Sequence, residues 1–141
     1  MRALAVLLVV AFTATAAFAN GDDNIPGEPL ASVKQVMLGL TIPASNVVWN
    51  VVFGEEKTDW EKVEANAMTL AESGRLLMED GRAVDDGEWM KYARAMIDSS
   101  LEAAEFAGAE DLDALRKAGN ALYESCDGCH KKYMPARQGE Q

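Results

Sequence analysis

Four stretches of this chain carry apolar residues that step by alternating intervals of three and four, and that repeat constrains the fold most strongly. Such a stripe lies along one face of an α-helix at 3.6 residues per turn. The first is Val33, Met37, Leu40, Ala44, Val47 and Val51, which predicts a helix over about residues 31–53. Pro43 removes a backbone hydrogen bond and crowds the preceding turn, so a kink or split is expected near Thr41 and Ile42. Thr58-Asp59-Trp60-Glu61 reads as a capping box for a second helix. Its seam is Trp60, Val63, Ala67, Leu70, Gly74 and Leu77, ending near Gly81. Asp85-Asp86-Gly87 is a turn and cap for a third helix over about 88–107, with Trp89, Ala93, Met96, Ser100 and Ala103 on one side. The fourth stripe, over about 111–133, is Leu112, Leu115, Gly119, Leu122, Cys126, Cys129 and Tyr133.

No alternating run bounded by turn residues competes with these stripes, so the fold class is all-α. Helices joined by short links favour antiparallel neighbours, which predicts an antiparallel up-down-up-down four-helix bundle. The seams contain several small residues, among them Ala67, Gly74, Ala93, Ser100 and Gly119. Either the helices approach closely there, or something other than side chains fills the space.

At the N-terminus Arg2 precedes an apolar run from Ala3 to Ala11, and the stretch finishes on Ala17-Phe18-Ala19. This is the pattern of a secretory signal peptide, residues 1–19, cut after Ala19, and it implies a periplasmic protein. The unbroken apolar stretch is shorter than the ~20 residues a spanning helix needs, and no membrane span is expected anywhere in the chain. Residues 20–30 then form a flexible lead-in, 31–135 the helical domain and 136–141 a polar tail. Removing residues 1–19 takes away Arg2 and no acid, so the net charge moves from −10 to −11. That charge repels nucleic-acid phosphates and steers the chain toward basic protein partners.

The two cysteines of the chain are Cys126 and Cys129, and its only histidine, His130, follows them directly. Cys126-Asp127-Gly128-Cys129-His130 matches C-x-x-C-H, the attachment pattern of c-type haem. On a helix, residues i and i+3 share a face, so two thiols can bond the two vinyl groups on one edge of a porphyrin. Residue i+4 then brings an imidazole under the iron. A structural zinc site needs about four protein ligands, and this chain offers two thiols and one imidazole. A thioredoxin-like dithiol calls for a strand before the motif, whereas this motif sits near the end of a helix. A plain disulfide suits an exported protein but leaves the adjacent histidine without a role.

With these residues in view, the chain resembles the class II cytochromes c, the family of cytochrome c prime and its low-spin six-coordinate relatives. The resemblance runs over about residues 30–135. It rests on four helices with the motif near the C-terminus, on Cys126-Asp127-Gly128-Cys129-His130-Lys131-Lys132-Tyr133, and on a first helix carrying Val33-Lys34-Gln35-Val36-Met37. Tyr133 matches the family's aromatic residue three places after the histidine, while Met134 stands where members often carry a basic residue.

The resemblance implies one haem c held covalently by Cys126 and Cys129, with His130 as an axial ligand of the iron and Met37 as the second. It implies an electron carrier with protein redox partners, no enzymatic activity, and pairing into a homodimer in some relatives. The alternative within the family is a five-coordinate protein that binds small gases such as NO or CO at an open iron position. Position also favours Met37, because an up-down bundle puts the start of the first helix beside the end of the last. Met78 and Met90 fall at the same end beside their seams, and Met68 and Met96 fall mid-bundle. Ordinary core packing is the expectation for those four, and core packing or lining of the haem for Trp49, Trp60 and Trp89. Asp22-Asp23, Glu55-Glu56 and Asp85-Asp86 read as solvated turns and caps.

Overall fold

The computed structural model describes residues 28–54 and 58–134. The expected signal peptide, nearly all of the lead-in, the pairs Asp22-Asp23 and Glu55-Glu56, and the polar tail lie outside the described residues. The described chain is all-helical, with four helices in an arrangement compatible with a helical bundle: α1 (Val33–Val52), α2 (Trp60–Leu76), α3 (Glu88–Gly108) and α4 (Leu112–Tyr133). Neighbours in chain order pack on one another, and α1 also packs on α4.

Helix α1 opens on a capping box. The Ser32 hydroxyl accepts from the Gln35 backbone N–H at 3.3 Å, and the Gln35 side chain accepts from the Ser32 N–H at 2.9 Å. Within the helix, Met37–Thr41 forms a π-turn in which the Ile42 N–H reaches back to the Met37 carbonyl. This is how the helix passes Pro43, which has no N–H to give: the ladder widens by one residue instead of breaking. The Thr41 hydroxyl ties the turn to α2 through Ser73 Oγ at 3.2 Å, and Ser73 Oγ in turn donates to the Leu70 carbonyl at 2.9 Å.

The buried face of α1 is Val36, Thr41, Ala44, Val48 and Val52, and of the expected stripe only Ala44 is fully buried. Val33, Met37, Val47 and Val51 are half-buried and Leu40 is exposed. Two causes act together. The π-turn inserts a residue between Val36 and Thr41, and the helix is apolar on so many sides that its periodicity does not select one face. By length and composition α1 is apolar enough to cross a membrane, with mean hydropathy 1.2, a test that the core helix of a water-soluble bundle also passes.

The N-cap of α2 is Asp59 rather than Thr58: its carboxylate accepts from the Lys62 N–H at 3.2 Å. The seam of α2 is otherwise as expected, with Val63, Ala67, Leu70, Gly74 and Leu77 buried. The helix itself stops at Leu76, ahead of Gly81, whose φ of +83° favours glycine. Asp111 caps α4 by accepting from the Ala114 N–H at 2.9 Å. On α3, Trp89, Ala93, Met96, Ser100 and Ala103 are buried as the stripe predicts.

The small seam residues mark close approach at two places. A Cβ on Gly74 would stand 2.8 Å from Ile97 Cγ1, and one on Gly119 would stand 2.7 Å from Val52 Cγ2. The core between the helices holds Leu70, Leu115, Leu122, Val48 and Val63 with almost no exposure.

Candidate functional site

Cys126, Cys129 and His130 occupy the last two turns of α4, which runs unbroken through the motif to Tyr133. Upstream, Leu115, Ala118, Gly119, Leu122 and Ser125 are buried, and they fix which face of α4 looks inward. Both cysteines extend that face. Each is half-buried, packs against the common core, and carries a free thiol with no disulfide to the other. Burial pushes the Cys126 thiol above its usual range, partly offset by Ser125, and burial with the neighbouring Cys126 does the same at Cys129. Both sulfurs are therefore neutral thiols at pH 7.

The His130 side chain is exposed, one residue beyond Cys129. Among the described residues, no three His, Cys, Asp or Glu side chains are grouped to hold a metal ion. Met37 is half-buried and packs against the same core as Cys126 and Cys129. It is the first residue of the π-turn, a feature that often marks functional positions in helices.

The other methionines separate. Met96 is buried, Met78 and Met90 are half-buried against the core, and Met68 is 45% exposed, so packing does not explain Met68 as expected. Trp89 is buried, while Trp49 and Trp60 are half-buried at the edge of the core.

Several residues around the motif were not singled out by sequence reasoning. A Cβ on Gly128 would stand 2.6 Å from Tyr92 Cε1, so the glycine between the cysteines lets the Tyr92 ring lie against the α4 backbone. A glycine inside a helix was the available signal, since it costs ~1 kcal/mol against alanine and invites a packing reason. The Tyr133 hydroxyl donates to Asp85 Oδ2, and its ring meets Trp89 edge-on with centroids 5.1 Å apart. Lys132 forms an ion pair with Glu88, and Lys131 pairs with Asp127 at 2.6 Å. Asp85 thus acts as a cap, as read from the sequence, but also holds a residue 48 positions away.

Further contacts gather at the same place. Arg82 Nε donates to the Ala31 carbonyl at 2.8 Å, and Pro29 sits against Gly81, where a Cβ would be 2.8 Å from Pro29 Cδ. The segment ahead of α1 therefore touches the link between α2 and α3, and that link touches the end of α4 through Asp85. An open groove of about 480 Å³ lies along α3, lined by Asp86, Met90, Lys91, Arg94 and Asp98 among others, and it includes none of Cys126, Cys129 or His130.

No family model, no curated protein and no solved structure matches this chain.

Proposed function

We propose that this protein is an exported monohaem c-type cytochrome of the class II kind, a carrier of single electrons rather than an enzyme. The observation that carries the reading is the donor set. Two neutral, unbridged, half-buried thiols stand at i and i+3 on one helix, an exposed imidazole stands at i+4, and the chain has no other cysteine or histidine. Those residues fit the group: the thiols are open enough to be reached and sheltered enough to keep a bonded porphyrin edge against the core.

In this reading Cys126 and Cys129 hold the haem through thioethers, which prevents its loss outside the cell. His130 would coordinate the iron, and Met37 would supply a second donor. Support for Met37 comes from the contacts at one end of the molecule. The chain ahead of α1 meets the α2–α3 link, and that link meets the end of α4. A bound haem would supply a one-electron ferric/ferrous couple, and thioether ligation from Met37 would favour its ferrous state. Tyr92, which lies against Gly128 between the two cysteines, would flank the bound group. The acidic surface steers basic redox partners toward the molecule.

The test is the mass and the absorption spectrum of the protein made in a host that matures c-type cytochromes. The expected result is one haem per chain that survives acid-acetone extraction and is lost in Cys126→Ala/Cys129→Ala. The reduced protein should bind carbon monoxide slowly or poorly. Immediate carbon monoxide binding would favour the five-coordinate, gas-binding alternative, and a colourless protein of unmodified mass would end both.

A further inference from the structure

Resting on the reading of Cys126, Cys129 and His130 as a haem site, we propose that Asp85 is a positioning residue for His130 and acts through Tyr133. His130 lies in the last turn of α4, where its carbonyl accepts from the Met134 N–H at 2.9 Å and where helix ends fray. Its imidazole is exposed, and none of the hydrogen bonds among the described residues reaches it. The direction the ring takes is therefore set by the backbone turn that carries it.

That turn is fastened to the start of α3 from both ends of one carboxylate. Asp85 Oδ1 accepts from the Gly87 N–H at 2.9 Å and the Trp89 N–H at 3.1 Å, which fixes the first turn of α3. Asp85 Oδ2 accepts from the Tyr133 hydroxyl at 2.5 Å, which fixes the last turn of α4 on the same atom group. Trp89 backs the Tyr133 ring and is itself held, with Nε1 donating to the Leu77 carbonyl at 2.7 Å. Lys132 completes the fastening through Glu88 and lies 5.5 Å from the Tyr133 ring centroid. Residues 132 and 133 are thus both bound to the start of α3 within three positions of His130. Asp85 joins the two helix ends that must keep their places if the imidazole is to meet a group held by Cys126 and Cys129.

Tyr133→Phe tests this, because it deletes the hydroxyl and leaves the ring on Trp89. Asp85→Asn is the second variant, since its side-chain oxygen can still cap α3 while the carboxylate charge is gone. Hydrogen exchange should be measured on full-length wild type and variants, haem-loaded and in the Cys126→Ala/Cys129→Ala background. The expected result is exchange of the 130–134 amides faster by roughly tenfold, the size of one lost charge-assisted hydrogen bond, with residues 115–125 unchanged. In the loaded and reduced Met37→Ala background, where the haem is expected to be high-spin, the iron–histidine vibrational band should also shift or broaden. Unchanged exchange at 130–134 overturns the proposal. So does a lowered Tm with an unchanged iron–histidine band, because that is the signature of a purely structural contact. A colourless wild type refutes the haem reading separately, and exchange on that same chain still decides whether Asp85 holds the last turn.

Discussion

Gly119 of α4 faces Val52 of α1 so closely that a Cβ there would stand 2.7 Å from Val52 Cγ2 and 3.0 Å from Cγ1. Val52 is buried and β-branched, so its side chain has no free rotamer into which to retreat. Gly119→Ala should therefore destabilise the protein, as overpacking costs of ~1–3 kcal/mol outweigh a helix-propensity gain of ~1 kcal/mol. Gly39→Ala should do the reverse. Gly39 is exposed with nothing within 4 Å of an added Cβ, so the propensity gain of up to ~1 kcal/mol is left unopposed. Urea denaturation of both variants checks the pair, and equal signs for the two would contradict the packing.

The Asp85–Tyr133 bond needs an ionised carboxylate and a protonated phenol, which gives its stabilisation a pH window. The Tyr133 hydrogen bond, helped by the Trp89 N–H, holds Asp85 below its usual 3.8. Its contribution is present above that value and lost as pH falls through the lowered folded-state pKa. Burial and Asp85 push Tyr133 from 10.0 up to about 12, so its contribution is complete below 10.0 and lost as pH rises through about 12. The stability difference between wild type and Tyr133→Phe should hold constant from about pH 5 to about pH 9 and shrink outside both limits. A difference that varies steadily across the neutral range would show that other groups control it.

Met37→Ala should turn a low-spin haem protein into a high-spin form that reacts quickly with carbon monoxide, while Met78→Ala and Met90→Ala leave the spectrum nearly unchanged. All three side chains are half-buried against the core, so the packing losses should be alike and toward the low end of the ~2–5 kcal/mol for a buried methionine. Spin state separates ligation from packing for that reason. If Met78→Ala or Met90→Ala gave the spin change instead, the ligand would be reassigned to that residue.

Electron exchange with a basic redox partner should slow as ionic strength rises, because a net charge of −10, or −11 without residues 1–19, steers encounter over a Debye length of ~10 Å at 0.1 M. An acidic partner should show the opposite trend in stopped-flow rates. Salt-independent rates with both would place docking under local control, for which the paired Lys131 and Lys132 beside His130 are the first residues to replace.

Helices α2, α3 and α4 were legible in the sequence because each carries one apolar stripe against a polar remainder, so burial follows from spacing alone. The stripe of α4 also put Cys126 and Cys129 on the inward face, whereas the exposure of His130 one residue beyond them was read only from the structure. Helix α1 was legible only as a helix. Valines, leucines and isoleucine surround its axis, and the choice of Val36, Thr41 and Val48 over Val33, Leu40 and Val47 came from the π-turn before Pro43 and from the Thr41–Ser73 bond to α2. The placement of Tyr92 on Gly128 and of Asp85 on Tyr133 was likewise decided by tertiary structure. Local periodicity reports which way a helix faces, but which residue meets which across 36 or 48 positions depends on how far each helix slides and turns against its neighbour. That is set by the packing of all four together.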